Sequence, residues 1–343
     1  MISKGIVEVS YTDNSPSVYV KIKIKTDRDE VETILSDSHT NIKSVVINGQ
    51  QVYNSKENNE LELRNKEVQN LNIKHLRQTM EEEESEKEKK FDIKDLSFKQ
   101  LRQIIQDAEP EKTKFTLEGI SVNKKAAKEG LNGYGSNLEK TLNSLKEKGV
   151  LPDNYITKAR IMTAAAADLR MSGGDCPIMT SGGSGNQGIG VILPIAIVAK
   201  QENISDERLS KALFFSHAIN RYVKEYSGKL SGICGCAIGA AIGATAGITW
   251  MIGGDDEQIA GACSNIFANL TGVICDGAKE SCSMKLSTSA EESIVSAYLA
   301  VNGVISEKNV GIMAETIEYT IKNIGKLSHG AFDKVDDLML EII

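Results

Sequence analysis

Five of the six cysteines lie between residues 229 and 285, among glycines and alanines. They are Cys234, Cys236, Cys263, Cys275 and Cys282. Thiolates are soft ligands that suit zinc and iron–sulfur centres. Structural zinc sites usually combine two short cysteine or histidine pairs, and the wider, irregular spacing here favours an iron–sulfur cluster instead. We expect one ligand from the turn that carries Cys234 and Cys236, and two from the loop that carries Cys275 and Cys282.

Local sequence refines this ligand set. A straight helix from Cys275 to Cys282 would hold the two sulfurs about 10 Å apart, so the Asp-Gly pair after Cys275 predicts a turn. Cys263, in an apolar run, is predicted to be a small buried hydrophobe. The first twenty residues contain no apolar signal-peptide core, which predicts a cytoplasmic protein whose cysteines do not form disulfides.

A glycine-rich stretch at residues 171–200 is the second place where chemistry is expected. Residues 181–190 hold too much glycine for a helix, and successive N–H groups in such a turn can bind an anion. A helix that begins near Ile189 would point its positive end at the same place. The predicted side-chain donors are Ser181, Ser184, Asn186 and Gln187. Without the Gly-Lys-Ser/Thr ending of a phosphate loop, the turn favours a carboxylate over a nucleotide, and a plain interhelical loop is the alternative.

Residues 230–254 carry no charge, and three of their glycines are spaced as GxxxG, which is also found in membrane-spanning helices. Their many glycines and few large apolar residues make a weakly hydrophobic span, and three acidic residues follow directly. We therefore predict a buried, closely packed helix in a large helical domain and no membrane association.

The overall composition limits the classes of partner. The chain has 343 residues, a net charge of −7, a pI near 5.4 and 5% aromatic residues. This acidic balance argues against nucleic acid and anionic membranes as partners. The length predicts two domains. We expect an α+β arrangement, in which a small N-terminal α/β sheet domain is followed by a large all-α helical domain. We place the first domain at 1–80, a charged linker at 81–90 and the helical domain at 91–343.

Local patterns predict individual elements. Residues 5–11 and 17–26 alternate as strands, Asp27 is placed to cap a short helix through Leu35, and Asn48-Gly49 predicts a hairpin. The predicted helix starts in the second domain are Ser97, Ser136, Asp153, Ser205 or Asp206, and Ser289.

Four segments in order carry a family resemblance: MSGGDCPIMTSGGSGNQGI, LPIAIVAK, GKLSGICGCAIGAAIGATAG and ICDGAKESCSMK. Together they resemble the L-cysteine desulfidase family, relatives of the catalytic α chain of iron–sulfur L-serine dehydratases. The resemblance spans most of residues 150–330, and HTNI at 39–42 extends it into the first domain. By position, Cys234 or Cys236, Cys275 and Cys282 resemble the ligands of a [4Fe-4S] cluster. The Asp-Gly after Cys275 replaces the relatives' Asp-Pro.

The resemblance implies a reaction. An open iron would act as a Lewis acid on the β-sulfur of a small amino acid, a base would remove the α-proton, and the aminoacrylate would hydrolyse to pyruvate and ammonia, with sulfide as the other product. His39, in the matched motif, is the predicted base, and the glycine-rich turn would hold the substrate carboxylate. His217 is predicted to be a hydrogen-bonded core histidine.

The Gly-Cys-Thr-Glu-Pro motif near the start of these desulfidases does not occur in this sequence. We expect either that a separate chain supplies the missing N-terminal segment or that the product is truncated. Three further interpretations stay open: a serine dehydratase, a non-catalytic iron–sulfur subunit that needs a partner chain, and the membrane protein considered above. A homo-oligomer is compatible with each of the enzyme interpretations.

Overall fold

The computed structural model describes residues 7–10, 12, 15–16, 18–37, 41–55, 92–228 and 231–342. The chain divides into two compact units, Met1–Lys90 and Phe91–Ile343. The predicted linker at 81–90 lies outside the described residues. A small antiparallel sheet in the first unit and a large helical region in the second confirm the α+β class.

The first unit contains a four-stranded antiparallel sheet with its strands in chain order. The strands are β1 (Tyr19–Lys25), β2 (Glu30–Ser36), β3 (Ile42–Ile47) and β4 (Gln50–Asn54). Asn48 and Gly49, with φ of 50° and 80°, form the turn between β3 and β4. Positive φ at both central residues is the geometry of a type I′ turn, so the predicted hairpin is confirmed.

Two predictions in this unit were wrong. Residues 7–10 form no strand, and the segment after Asp27 forms strand β2 instead of a helix. Alternating β-branched and charged residues in β2 pair on both sides, with β1 and β3, and the Asn48 side chain accepts the Glu30 N–H at 2.8 Å. Sheet pairing thus overrides the local capping signal. The apolar face of β1 is exposed, with Ile22 46% accessible.

The second unit is helical throughout its described part, apart from short turns and single β-bridges. The longer helices that carry the core are α1 (Phe98–Asp107), α3 (Glu118–Gly130), α4 (Leu138–Glu147), α5 (Tyr155–Met171), α6 (Gly185–Gln201), α7 (Asp206–Ser227), α8 (Ile238–Met251), α9 (Asp256–Leu270), α10 (Cys282–Val301), α11 (Ile317–Leu327) and α12 (Asp333–Ile342). Shorter pieces are α2 (Pro110–Thr113), 3₁₀ turns at Ile93–Asp95 and Lys114–Leu117, and a π-helical turn at Ser328–Phe332.

Helix starts agree with prediction where the cap is purely local. Ser97 and Ser205 are N-caps of α1 and α7, and Ser97 forms a capping box with Gln100. Asn154, next to the predicted Asp153, caps α5. Ser136 does not cap α4, because its hydroxyl donates to the Asp168 carboxylate at 3.0 Å instead.

The prediction for residue 289 was also wrong, because Ser289 lies inside α10. Its hydroxyl donates to the Ala237 carbonyl at 2.6 Å, which joins α10 to the start of α8. A serine that binds a neighbouring helix needs no role in helix initiation.

Helix α8 lies at the centre and packs against α6, α7, α9 and α10. It is built from alanine, glycine and isoleucine and is buried on all sides. Its glycines allow the close approach of α7: a Cβ at Gly243 would lie 2.7 Å from the Ser216 carbonyl oxygen, and one at Gly247 would collide with the Ser216 hydroxyl. The predicted buried helix is thus confirmed.

Within the described residues, no helix is both long enough and apolar enough to cross a membrane. The uncharged run at 230–254 contributes only the 14-residue α8.

The tight contact between α7 and α8 gives a stability prediction. We expect Gly243→Ala to lower the free energy of unfolding by about 1–2 kcal/mol, because the new methyl group meets rigid backbone and this overpacking exceeds the gain in helix propensity. Urea denaturation measures the change. Gly272→Ala is the control, since no atom lies within 4 Å of a Cβ placed there; equal stabilities of the two variants would contradict the packing argument.

Candidate functional site

A short antiparallel contact brings two cysteine segments together. The Cys234 N–H donates to the Val273 carbonyl at 2.9 Å, and the Cys275 N–H donates to the Gly232 carbonyl at 2.7 Å, around a bridge between Ile233 and Ile274. Successive residues of extended chain point to opposite sides. Cys234 and Cys275 therefore both lie on the side opposite to the two isoleucines, and their thiols are in hydrogen-bond contact.

The other two cysteines of the cluster come from the adjacent turns. Cys236 lies in the turn that leads into α8, and its thiol is hydrogen-bonded to that of Cys234. Cys282 is the first residue of α10, and its Sγ lies 3.8 Å from the Gly277 carbonyl oxygen. Gly277 has φ of 93°, which confirms the predicted turn between Cys275 and Cys282.

Lysines hold the Cys275–Cys282 loop in place. Lys285, one turn into α10, donates to the Ile274 carbonyl at 2.9 Å and to the Asp276 carboxylate at 2.6 Å. Hydrogen bonds from Lys279 and then Lys285 lower the pKa of Asp276 to about 2. The positive charge of Lys285 also acts to lower the pKa of Cys275 and so favours a thiolate there.

The thiols differ in acidity because they are bonded to one another. The hydrogen bond from Cys234 to Cys236 raises the pKa of Cys234 to about 11 and lowers the pKa of Cys236. The bond to Cys234 likewise raises the pKa of Cys275. Cys263 lies apart from this cluster, fully buried, and burial raises its pKa, as predicted for a hydrophobic cysteine.

The glycine-rich turn is shorter than predicted. Gly182 and Gly183 both have positive φ, and Ser181 and Ser184 exchange backbone hydrogen bonds at 3.1 and 3.0 Å across them. Helix α6 begins directly afterwards at Gly185, four residues before the predicted start at Ile189. Ser184 is its N-cap. The glycines continue into the helix because neighbours lie close: a Cβ at Gly188 would collide with the Met179 carbonyl oxygen.

The first turn of α6 contacts the cysteine cluster. The Asn186 side chain is hydrogen-bonded to the Cys236 thiol. A Cβ at Gly235, between Cys234 and Cys236, would lie 2.6 Å from Gln187 Nε2. The helix N-terminus and the thiols thus form one site, in which the partial positive charge of the helix end lies next to the sulfurs.

Helix α7 adds a polar row that the sequence analysis did not place in the site. His217 Nδ1 lies 2.8 Å from the Ser181 hydroxyl, and Asn220 donates to Ser181 and Gln187 at 2.8 and 3.0 Å. Lys224 donates to the Gly182 carbonyl at 2.5 Å. These residues recur at helical spacing on one face of α7, and that periodicity is the signal that could have identified them.

Two features of this row fit a ligand site. Burial lowers the pKa of His217 to about 4, so the imidazole is neutral near pH 7. Asn220 is fully buried, and its Oδ1 has no hydrogen-bond partner among the described residues.

Arg170, at the end of α5, brings a positive charge to the same place. Its Nη1 donates to Asn186 Oδ1 at 3.1 Å, and a Cβ at Gly185 would collide with its Nε. The guanidinium therefore lies against the first residues of α6.

Eight of the nine predicted site residues lie in the described part of the chain. Cys234, Cys236, Cys275 and Cys282 lie together, and Ser181, Ser184, Asn186 and Gln187 lie beside them. His39, the predicted base, is outside the described residues. The roles assigned to all nine residues stay predictions.

The donor set suits a soft metal centre, since four thiols lie next to lysines and a helix N-terminus. Among the described residues, however, no three His, Cys, Asp or Glu side chains are already spaced to hold a metal ion. Hydrogen bonds between the thiols raise the pKa of Cys234 and of Cys275, which favours the protonated form of these two side chains. Ligation would need them to lose protons and turn toward a common centre.

The helical fold and the cysteine site agree with a comparison of the sequence with known protein families. The chain belongs to the serine dehydratase alpha chain family, whose sequence model matches residues 65–341. Membership supports a lyase-type role, and the family is generally associated with iron–sulfur centres.

Three relatives show the extent of the similarity. A UPF0597 protein from Clostridium botulinum is 48% identical over the whole of this chain and 74% of its own length. One from Desulforapulum autotrophicum is 36% identical over 98% of this chain and 73% of its own length. One from Alkaliphilus oremlandii is 44% identical over 67% of this chain and 54% of its own length.

The low pKa of His217 predicts a pH-dependent stability. Between the unfolded pKa of about 6.5 and the folded pKa of about 4, only the unfolded chain binds the proton, so stability is full above pH 6.5 and is lost as pH falls. From about pH 7.5 to about pH 5, we expect His217 to account for a loss of about 2 kcal/mol. Urea unfolding at both pH values measures it.

His217→Asn is the matched variant, because the amide retains a hydrogen-bonding atom near Nδ1 and does not titrate. Its stability should fall about 2 kcal/mol less than that of the unmodified chain over the same range. An identical pH dependence in both proteins would rule out a buried neutral His217.

Proposed function

We propose that this chain is an iron–sulfur-dependent lyase that catalyses β-elimination from a small L-amino acid, with L-cysteine as substrate and pyruvate, ammonia and sulfide as products. The observation that carries the proposal is the meeting of four thiols with the N-terminus of α6, beside the neutral imidazole of His217. A substrate bound there would have a helix end for its carboxylate and a base for its α-proton.

We assign the ligands of a [4Fe-4S] cluster to Cys275, Cys282 and one of Cys234 and Cys236. When bound, the cluster would supply a Lewis acid for the leaving sulfur atom. Lys279 and Lys285 support the assignment, since both pair with Asp276 in the loop between two of the ligands, and the charge of Lys285 favours a thiolate at Cys275.

The substrate carboxylate would bind at the first turn of α6. The free N–H groups of a helix N-terminus bind anions, and the serine hydroxyls of Ser181 and Ser184 and the amides of Asn186 and Gln187 surround that point. Arg170 adds a formal charge next to Asn186. A guanidinium can bind a carboxylate through two parallel hydrogen bonds and so fix the orientation of the α-hydrogen.

The base takes the α-proton while the thiolate leaves from the β-carbon, and the released aminoacrylate takes up water to give pyruvate and ammonia. His39 remains the base expected from the family resemblance. His217 is a second candidate, since its imidazole is neutral and its Nδ1 is held by Ser181, which leaves Nε2 to accept a proton.

L-serine is the alternative substrate, because hydroxide and thiolate would leave from the same β-carbon. The family name, an alpha chain, also favours a partner chain that completes the enzyme. Purification without oxygen, followed by assays of sulfide and pyruvate from L-cysteine and of pyruvate from L-serine, tests these proposals. Sulfide release from L-cysteine would support a desulfidase, pyruvate from L-serine alone a dehydratase, and iron without turnover a subunit that needs a partner.

Removal of one proposed ligand should remove the cluster. We expect Cys275→Ser to lose most of the bound iron and acid-labile sulfide, because an alkoxide is a poor replacement for a soft thiolate ligand. Iron analysis and visible absorption of protein purified without oxygen measure the loss.

Cys263→Ala is the control for that experiment, since Cys263 is buried in the hydrophobic core away from the cluster, with its Sγ 3.9 Å from the Ile242 carbonyl oxygen. It should retain full iron. Full iron in Cys275→Ser would refute the ligand assignment.

Arg170 should affect substrate binding more than turnover. We expect Arg170→Gln to raise KM for the amino acid by about 10-fold or more, with a smaller effect on kcat, because a charged hydrogen bond to the carboxylate is present before and during the reaction. Steady-state kinetics separates the two constants.

Arg221→Gln is the matched control, because Arg221 is half exposed and pairs with Glu225 on its own helix. It should leave KM unchanged. An equal KM in both variants would exclude Arg170 from carboxylate binding.

A further inference from the structure

A cavity of about 1060 Å³ lies near the C-terminal end of α6. Its lining comes from α3, α4, α5 and α6, and includes residues from Leu193 to Gln201. The catalytic candidates lie at the N-terminus of the same helix. Lys200 is 15 residues from Gly185, which corresponds to about 22 Å along α6, so the two sites are separate.

The wall of this cavity is strongly basic. Six lysines line it: Lys124, Lys128, Lys140, Lys146, Lys158 and Lys200. Only two carboxylates, those of Glu139 and Asp153, accompany them. This concentration runs against the net charge of −7 of the whole chain, so it does not follow from composition.

The lysine side chains converge. Burial lowers the pKa of Lys124, and the charges of Lys200, Lys158 and Lys128 lower it further. These lysines come from three different helices, α3, α5 and α6. Within the described part of the chain none of these four lysines forms an ion pair, whereas Lys146 is paired with Asp153 at 3.5 Å. Uncompensated positive charges held close together destabilise a fold unless an anion binds between them.

The remaining surface of the cavity indicates the size and kind of ligand. Ile161, Leu193 and Ile197 give it an apolar floor, and Tyr155 adds an aromatic ring. The buried Glu139 carboxyl reaches this lining, and neither of its oxygens has a hydrogen-bond partner among the described residues. Burial raises the pKa of Glu139, so it offsets less of the lysine charge than its formal charge indicates.

We infer that this lysine-lined cavity binds an organic polyphosphate, a molecule with at least two phosphate groups on a partly apolar body such as a nucleoside triphosphate. Lysine binds phosphate as a mobile point charge, and several lysines together match several phosphates. A free phosphate or a single amino acid would fill little of the cavity and leave the apolar floor uncovered. The inference does not depend on the proposed lyase activity, since it uses different residues.

Isothermal titration calorimetry of the full chain with ATP, inorganic pyrophosphate and adenosine tests the inference. We expect one ATP per chain, with affinity that falls as salt is raised. Pyrophosphate should bind more weakly because it lacks the apolar body, and adenosine should not bind because it lacks the charge. Protection of α3 and α5 from hydrogen exchange upon ATP addition would locate the ligand in this cavity.

The triple variant Lys124→Gln, Lys158→Gln and Lys200→Gln should lose at least about 1000-fold in ATP affinity, since each lysine near a phosphate is worth about 10-fold or more. Its fold should be retained, because the change removes repulsion between lysines. The control variant, Lys99→Gln, Lys322→Gln and Lys326→Gln, makes the same change in net charge on α1 and α11 and should bind ATP normally.

The inference is overturned if neither ATP nor pyrophosphate binds at millimolar concentration. It is also overturned if adenosine binds as tightly as ATP, or if the two triple variants have equal affinity.

Discussion

The close contact between α7 and α8 is the constraint on which the rest of the helical unit depends. Gly239, Gly243 and Gly247 face α7 without side chains, so backbone atoms of the two helices approach to distances that a Cβ would prevent. The cysteine turn lies directly before α8, and His217 and Asn220 project from α7. The close packing of α7 against α8 therefore brings the cysteine turn and the imidazole of His217 into one site.

Burial affects the protonation of the side chains that the contact between α7 and α8 brings together. His217 is held neutral because few solvating groups surround it, and a neutral imidazole can accept a proton at physiological pH. The hydrogen bonds between the thiols raise the pKa of Cys234 and of Cys275, which favours their protonated forms, and lower the pKa of Cys236. A metal centre would reverse that balance, because ligation requires the thiolate. Metal binding and the proton content of the site are therefore coupled.

Sequence reasoning succeeded where structure is local. The Asn48-Gly49 hairpin and the helix start at Ser97 follow from a few adjacent residues, and both are present. Sequence reasoning failed where a residue far along the chain determines the local structure. Ser136 has a capping sequence, but Asp168, 32 residues later, takes its hydroxyl, and the segment after Asp27 becomes a strand because β1 and β3 pair with it.

The candidate site shows the same division. Spacing could indicate that cysteines gather in one segment, but the pairing of Gly232 and Cys234 with Val273 and Cys275 is a tertiary contact with no local signal. His217 was predicted to be a hydrogen-bonded core histidine, and it is half-buried and hydrogen-bonded. Its location beside Ser181 could be recognised only after α7 and the glycine turn were placed in space.

Helix α6 runs from the thiol site to the lysine cavity, and its composition changes along its length. Its first six residues are glycine, polar residues and one isoleucine, small enough to meet the Met179 carbonyl and Ala240. Pro194 then removes one backbone hydrogen bond to the carbonyl of Gly190, four residues earlier. Beyond it the helix is apolar until Lys200. The hydrogen-bond gap therefore separates a half that forms the thiol site from a half that lines the lysine cavity, so each half can adjust its packing with less strain on the other.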